Sequence, residues 1–288
     1  MNNEKMIRIA VQKSGRLYEE SVSLLKECGI DLRNVKDRLK TVSENFPIEV
    51  LFLRDDDIPE YVEDGVADIG IVGQNVLGEK NRNVSMVEQL GFGKCRLSIA
   101  VPKSMSYTSI KDIEGKRIAT SYPKLVKSYL DQHAVNASIH EISGSVEIAP
   151  GIGLSDAVAD LVSSGGTLFV NGLREVETIL ESQAVLISNL KLDSTKLSIL
   201  EKLLFRIRAV KKAQKSKYVL LNAPNEKLDS IIKLLPGMRS PTVLPLAESG
   251  WSSVHCVLSE SEFWNKIEEL KMAGAEGILI VPIEKMIL

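Results

Sequence analysis

The polar and apolar positions of the first ninety residues alternate between two periods. Residues 6–12 carry Ile7, Ile9 and Val11 at every second position, the period of a strand. Residues 15–28 then place Leu17, Ser21, Leu24, Leu25 and Cys28 on one helical face, and Gly29 follows as a stop free to take positive φ. Residues 47–53 form an apolar strand. Asp55, Asp56 and Asp57 offer caps before a short helix opened by Ile58 and Pro59. Residues 67–72 read as another strand, which Gly73 turns into a second helix start. This strand–helix rhythm predicts a parallel sheet covered on both faces.

From Gly91 the pattern restarts. Strands are predicted over 96–101, 116–120, 137–142 and 146–148. Helices are predicted over 121–133, with Pro123 in the first turn, and over 154–163, where Leu154, Val158, Leu161 and Val162 share a face. A strand at 184–187 and a long helix at 196–212 follow. The fold expected is α/β, with two lobes around a cleft. Crossings near 93 and 178 would assign 1–93 and 179–210 to one discontinuous lobe and 94–178 to the other. The remainder, 211–288, differs. Strands at 218–221, 243–246, 253–258 and 277–281 and helices at 226–235 and 261–273 give the order βαββαβ, a ferredoxin-like split unit. Pro236 and Gly237 close the first of these helices, and the basic stretch 206–217 reads as a linker into the unit.

Composition narrows the function. A chain of 288 residues suits two or three domains, and 44% hydrophobic with 26% charged residues is a globular balance that excludes long disorder. Lys and Arg number 36 against 38 Asp and Glu, which leaves no general field for nucleic acid or an anionic membrane. No apolar run reaches the ~18–20 residues that span a bilayer. Met1 to Lys5 is polar and lacks the order of a signal peptide, so the expected location is cytoplasmic. Cys28, Cys95 and Cys256, and His133, His140 and His255, are too scattered for a disulfide framework or a protein-held metal. A Mg²⁺ ion carried by a phosphorylated substrate remains compatible with that spacing.

Several residues have types and places suited to phosphate and sugar chemistry. The run Ser163, Ser164, Gly165, Gly166 and Thr167 follows Asp160 closely. Such a loop can turn successive N–H groups and hydroxyls toward one anion, while Asp160 accepts from sugar hydroxyls. The same residues also fit a helix end followed by a tight turn. Lys13 and Arg16 flank Gly15 directly after the first strand, Arg54 follows the second, and Gly73 the third. In open α/β sheets ligands sit beyond the carboxyl ends of strands, and a helix start there adds its positive end. Each also fits an ordinary basic cap. Tyr122, after a later strand, suits stacking on a purine or plain partial burial. Glu147 faces either a cleft or solvent. No Ser-His-Asp, Cys-His or paired-carboxylate motif is present, which points away from a covalent enzyme intermediate.

Taken in order, IRIAVQKSGRL (7–17), LRDDDIPEYVEDGVADIGIVGQNVL (53–77), GKRIATSYP (115–123), GSVEIAPGIGLSDAVADLVSSGGTL (144–168), NGLREVE (171–177) and LLPGMRSPTVLPL (234–246) resemble the ATP phosphoribosyltransferase family, in its long form, over nearly the whole chain. The resemblance implies two catalytic lobes like those of periplasmic binding proteins, a C-terminal regulatory domain, and assembly into dimers and hexamers. It implies transfer of the phosphoribosyl group of phosphoribosyl pyrophosphate to ATP, with Mg²⁺ as the substrate's ion and with histidine and AMP as inhibitors. By the same resemblance Asp160 and Glu147 hold the ribose, and Ser163, Ser164, Gly165, Gly166 and Thr167 hold the 5-phosphate. Lys13, Arg16 and Arg54 meet phosphates, and Tyr122 the adenine. Asn222, Met238, Ser240, Thr242 and Gly277 fall where the family's histidine site lies. Asn222 departs from relatives that carry an acidic residue there, and Gly166 from relatives with a larger or basic one. The rival readings are a two-lobed solute-binding protein, and an inert pair of lobes with a sensing domain.

Overall fold

A computed structural model describes residues 6–32, 39–235 and 237–287. The chain divides into two compact units, residues 1–26 with 30–200, and 27–29 with 201–288. Among the described residues no helix is long and apolar enough to cross a membrane.

The larger unit contains two sheets. The first holds β1 (Ile7–Gln12), β2 (Lys40–Val42), β3 (Ile48–Leu53), β4 (Ile69–Gly73) and β5 (Ser85–Gln89). A later strand, here β11 (Ala184–Ser188), inserts between β4 and β5, so the order is β2-β3-β1-β4-β11-β5. Helices α1 (Arg16–Glu27), α2 (Ile58–Glu63) and α3 (Gln74–Lys80) connect the early strands. β3, β1 and β4 are adjacent and parallel, as the strand–helix rhythm predicts. Their apolar runs are buried on both faces: Ile7, Ile9, Ala10, Val11, Ile69, Ile71 and Val72 are wholly inaccessible.

The second sheet has the order β10-β6-β9-β7-β8, from β6 (Cys95–Pro102), β7 (Arg117–Thr120), β8 (Ser138–Glu141), β9 (Ala157–Val162) and β10 (Leu173–Ser182). α4 (Pro123–Gln132) and α5 (Gly166–Val170) follow β7 and β9. Three expectations fail here. The helix predicted over 154–163 is β9, paired with β6 on one side and β7 on the other. Its apolar run AVADLV belongs to a strand buried on two faces, which helical spacing imitates over so short a length. Residues 146–148 form one turn of 3₁₀ helix rather than a strand, entered from Ser145 in the left-handed region at φ 50°. β10 was not expected, because two register irregularities break the alternation of LREVETILES. The short strands β2 and β5 also escaped the periodicity. The chain therefore returns to the first sheet at Gln183, between β10 and β11, and not near 178.

The smaller unit contains most of α6 (Ser194–Gln214), then β12 (Ser216–Pro224), α7 (Leu228–Leu234), β13 (Thr242–Pro245), β14 (Trp251–Ser259), α8 (Glu260–Met272) and β15 (Glu276–Pro282). The βαββαβ order stands, with an antiparallel sheet β13-β14-β12-β15. Val219, Leu221 and Ala223 of β12 and Val254, Cys256 and Leu258 of β14 pack against Ile231, Phe263 and Leu270 of the helices. Ser259 and Glu262 close a capping box that starts α8. The basic stretch 206–217 is not a linker: α6 runs to Gln214 and β12 begins at Ser216. Pro236, expected to help close α7, lies outside the described residues.

Gly70 shows how tightly the first sheet is covered. A Cβ on this β4 residue would stand 2.6 Å from Ile58 Cγ2 and 3.1 Å from Val62 Cγ2, both on α2. Ile58 and Val62 are fully buried, so neither can withdraw cheaply. Gly70→Ala is expected to destabilise by about 1–3 kcal/mol. Thermal denaturation checks this; a wild-type Tm would show that α2 is free to retreat.

Candidate active site

The parallel order β3-β1-β4 brings three strand ends to one edge of the first sheet. Gln12 and Lys13 leave β1, Arg54 and Asp55 leave β3, and Gly73 ends β4. The Lys13 N–H donates to the carbonyl of Leu53 at 2.8 Å, which ties the first two ends together. Gly15, at φ +88°, then turns the chain into α1 and sets Arg16 on its first turn. Lys13, Arg16 and Arg54 are all exposed. Arg16 reaches Glu20 at 3.6 Å, while among the described residues the charged ends of Lys13 and Arg54 have no ion-pair partner. Cations held this way keep their hydration until an anion replaces it.

The second sheet contributes a matching edge. β7 and β9 are parallel neighbours, so Tyr122 after β7 and the run 163–167 after β9 leave the sheet at the same end. The loop connects a strand to a short helix, not a helix to a turn. Gly165, at φ +80°, is the residue before α5. Ser163, Ser164, Gly166 and Thr167 are exposed around it.

A cavity of about 260 Å³ joins the two edges. Arg16 lines it from one side, and Tyr122 and Ser163 from the other. Lys13, Arg54, Glu147, Asp160, Ser164, Gly165, Gly166 and Thr167 lie outside its lining. The lining also includes Gln12, which opens the basic stretch after β1, and three polar residues that sequence reasoning gave no part in the site, Asp55, Asn75 and Lys94. Asp55 had been read only as a cap. Asn75 had one legible signal, its neighbour Gly73: a Cβ there would stand 2.4 Å from Asn75 Oδ1, so the glycine lets that side chain fold back. A broader, open depression of about 810 Å³ lies along α4 beside Lys124 and Lys127, but it holds none of the strand-end residues.

The carboxylates here are electrostatically unsettled. Burial pushes the Asp55 carboxyl above its usual range, and neighbouring Asp56 adds to this. Burial raises Asp160 likewise; its Oδ1 accepts the Leu161 N–H at 2.7 Å, which offsets part of the rise, and Glu147 adds repulsion. The Tyr122 hydroxyl is pushed up chiefly by burial, with Asp55, Asp160 and Asp56 reinforcing it against the Asn75 hydrogen bond. Tyr122 is thus a neutral phenol in a negative setting. Among the described residues no group of three or more His, Cys, Asp or Glu side chains converges on a metal position.

The residues that the family resemblance places at a histidine site sit in the smaller unit. Asn222 on β12 pairs with Ser253, and Thr242 on β13 with His255, so both share the sheet face opposite the core. A Cβ on Gly277, at φ +56°, would stand 3.2 Å from Asn222 Nδ2. Met238 and Ser240 are exposed in the α7–β13 connection. His255 stands on β14, the strand between those of Asn222 and Thr242, its ring bonded to Tyr218 Oη at 2.8 Å and Ser253 Oγ at 3.0 Å. Sequence reasoning had not singled it out.

Comparison with known proteins adds to this geometry. Residues 54–209 match the family model described as ATP phosphoribosyltransferase, and residues 213–285 the model described as the HisG C-terminal domain. The chain is 58% identical to the ATP phosphoribosyltransferase of Cytophaga hutchinsonii over 282 residues, covering 98% of this chain and 99% of that protein. Its identity to the same enzyme of Phocaeicola vulgatus is 56%, over 98% of this chain and all of that one. Among solved structures, a chain of the ATP phosphoribosyl transferase (HisG:HisZ) complex from Thermotoga maritima aligns at a TM-score of 0.60 and 29% identity, covering 70% of this chain and 99% of that one.

The raised Asp160 carboxyl has a consequence for stability. Its folded pKa exceeds the unfolded one, so its ionisation opposes folding, and the penalty grows as pH rises from the unfolded value of 3.8 through the folded one. Asp160→Asn, which keeps an oxygen for the Leu161 N–H, should therefore raise Tm at neutral pH by about 2–4 °C per kcal/mol relieved. The gain should narrow as the buffer is acidified. Melting curves at several pH values decide it; a Tm at or below wild type at neutral pH would show that Asp160 bears no such penalty.

Proposed function

From the premise that the chain belongs to the ATP phosphoribosyltransferase family, we propose that the cleft between its two sheets binds ATP and phosphoribosyl pyrophosphate together and that its smaller unit senses histidine. The activity is the first step of histidine biosynthesis. A ring nitrogen of the adenine attacks the anomeric carbon of the sugar, the new C–N bond forms, and pyrophosphate leaves with the electron pair of the broken C–O bond. Such a displacement needs no nucleophile from the protein. It needs two polyanions aligned and the leaving group's charge offset.

The observation that carries this reading is the meeting of the two strand-end edges in one cavity, with Arg16 facing Tyr122 and Ser163. In this assignment Ser163, Ser164, Gly165, Gly166 and Thr167 hold the 5-phosphate, and Asp160 with Glu147 accepts from the ribose hydroxyls. Lys13, Arg16 and Arg54 offset the phosphate charge, and Tyr122 stacks on the adenine. Mg²⁺ arrives with the pyrophosphate of the substrate, as an ion that needs few ligands from the protein. AMP, carrying the same base, competes with ATP.

Histidine, in the same reading, binds around Asn222, Met238, Ser240, Thr242 and Gly277, and acts by favouring one arrangement of a dimer or hexamer over another. Exposed Leu244, Leu279 and Val281 on the sheet of the smaller unit are suited to burial in such an assembly. A solute-binding role has no comparable support: it shares a two-lobed shape but does not account for the loop at 163–167.

Three measurements test the proposal. Pyrophosphate should be released when ATP, phosphoribosyl pyrophosphate and Mg²⁺ are mixed with the protein, and should not appear when either substrate is omitted; silence in the complete mixture would sink the assignment. Thr167→Val removes a hydroxyl at nearly constant volume and should raise the KM for phosphoribosyl pyrophosphate by about 5- to 100-fold, the cost of a hydrogen bond to a charged group, with a smaller change for ATP. Asn222→Asp should tighten histidine binding in calorimetry by restoring a charged partner for the amine. Unchanged affinity would move the histidine site away from Asn222.

A further inference from the structure

Tyr122 is tied to its own sheet through its backbone, the N–H donating to Thr120 Oγ1 at 3.0 Å, but its hydroxyl is held from the other. Its side chain is the first residue of a junction between α4, which follows the second sheet, and α3, which belongs to the first. Asn75 Nδ2 donates to the Tyr122 hydroxyl at 3.1 Å. One turn further along α3, the Glu79 carboxylate accepts the backbone N–H groups of Lys124 and Leu125, each at 3.0 Å. These are amides of the first turn of α4, whose start is otherwise poorly satisfied: Pro123 has no N–H, and Tyr122 at the N-cap offers no side-chain cap. Glu79 therefore caps α4 from the opposite lobe, with a negative charge at the positive end of the helix.

The rest of that α3 face is built for the contact. Asn75 and Glu79 are four residues apart and nearly inaccessible, at 4% and 7% exposure. Gly78 lies beside them, where a Cβ would press to 3.2 Å of Leu125 Cδ2. Asn75 is itself fixed at its other end. Its N–H donates to Ser182 Oγ at 3.0 Å, and that hydroxyl donates back to Asn75 Oδ1 at 2.8 Å. Gln74 N–H donates to the carbonyl of Gln183, at the crossing between the sheets, at 2.9 Å. A buried carboxylate spent on two amides of another lobe is costly unless both bonds are made. The pair of contacts thus selects one spacing and one orientation of the lobes.

We propose that Asn75 and Glu79 are positioning residues for adenine recognition: one face of α3 sets where Tyr122 stands from across the cleft, Asn75 through its hydroxyl and Glu79 through the start of α4. This rests on the reading of Tyr122 as the adenine contact. Neither residue needs to touch the nucleotide for its loss to weaken nucleotide binding.

The test is a cycle of AMP titrations by calorimetry on the full chain. Asn75→Ala and Tyr122→Phe each remove the same hydrogen bond, and each should weaken AMP by about 3- to 10-fold. Combined, they should weaken it no more than about 2-fold beyond either alone, the non-additivity expected of residues that act through one bond. Glu79→Gln should weaken AMP more than it weakens phosphoribosyl pyrophosphate, and Glu79→Asp should recover part of the loss. Melting curves on each variant separate this from unfolding, since a purely structural role would lower Tm and both affinities together. Additive losses in the double variant, or an unchanged AMP affinity in Asn75→Ala while Tyr122→Ala loses binding, would overturn the positioning role alone. Unchanged AMP affinity in Tyr122→Ala would overturn the adenine assignment, and this inference with it.

Discussion

The second sheet is entered and left through one antiparallel pair of strands. β6 and β10 run side by side from Cys95 opposite Ser182 to Pro102 opposite Leu173. Their ladder is reinforced by the ion pair between Arg96 and Glu175, a two-pronged contact on neighbouring strands. Both passages of the chain between the sheets therefore lie beside each other, and the return is made within a single residue, Gln183. This ladder, through β9 paired with β6, sets the start of the loop at 163–167. Ser182, its last residue, also supplies the hydroxyl that fixes Asn75.

The cleft separates its charges by burial. The cations on the rim are exposed. The carboxylates are half-buried, and Asp55 and Asp160 are pushed upward by that burial. Desolvation of this kind is destabilising for the fold; in the function proposed for the cleft it would sharpen Asp160 as an acceptor for ribose hydroxyls. The loop after β9 places hydroxyls and amides at the same edge. The proposed reaction, which joins two polyanions, would use this division of exposed positive charge from half-buried acceptors.

The smaller unit has a different logic. Alternation along β12 and β14 sends Val219, Leu221, Val254 and Cys256 into the core and leaves Asn222, Ser253 and His255 on the other face, where Thr242 of β13 pairs with His255. The core is complete within the unit, so the opposite face is available for a ligand or for another copy of the chain. A polar centre framed by Leu244 and Leu279 suits either, and regulation by assembly would use both.

Much of this was legible from residue order. The period of apolar positions determined β1, β3, β4, α1, α6 and the whole βαββαβ unit, because their buried faces repeat regularly over their lengths. Basic residues after β1 and β3 marked two strand ends at one edge of the first sheet; the glycine and hydroxyl run at 163–167 was legible as a candidate phosphate loop, but after a helix, where the structure has strand β9. What the sequence could not determine depended on partners distant along the chain. AVADLV carries helical spacing and becomes a strand only because β6 and β7 lie on either side of it. LREVETILES shows no clean alternation because its two irregularities exist only in register with β6. The burial of Glu79 against α4 follows from the crossing at Gln183, which no local pattern encodes. Periodicity reports which side of an element is buried; the identity of what buries it is decided only when the chain has folded.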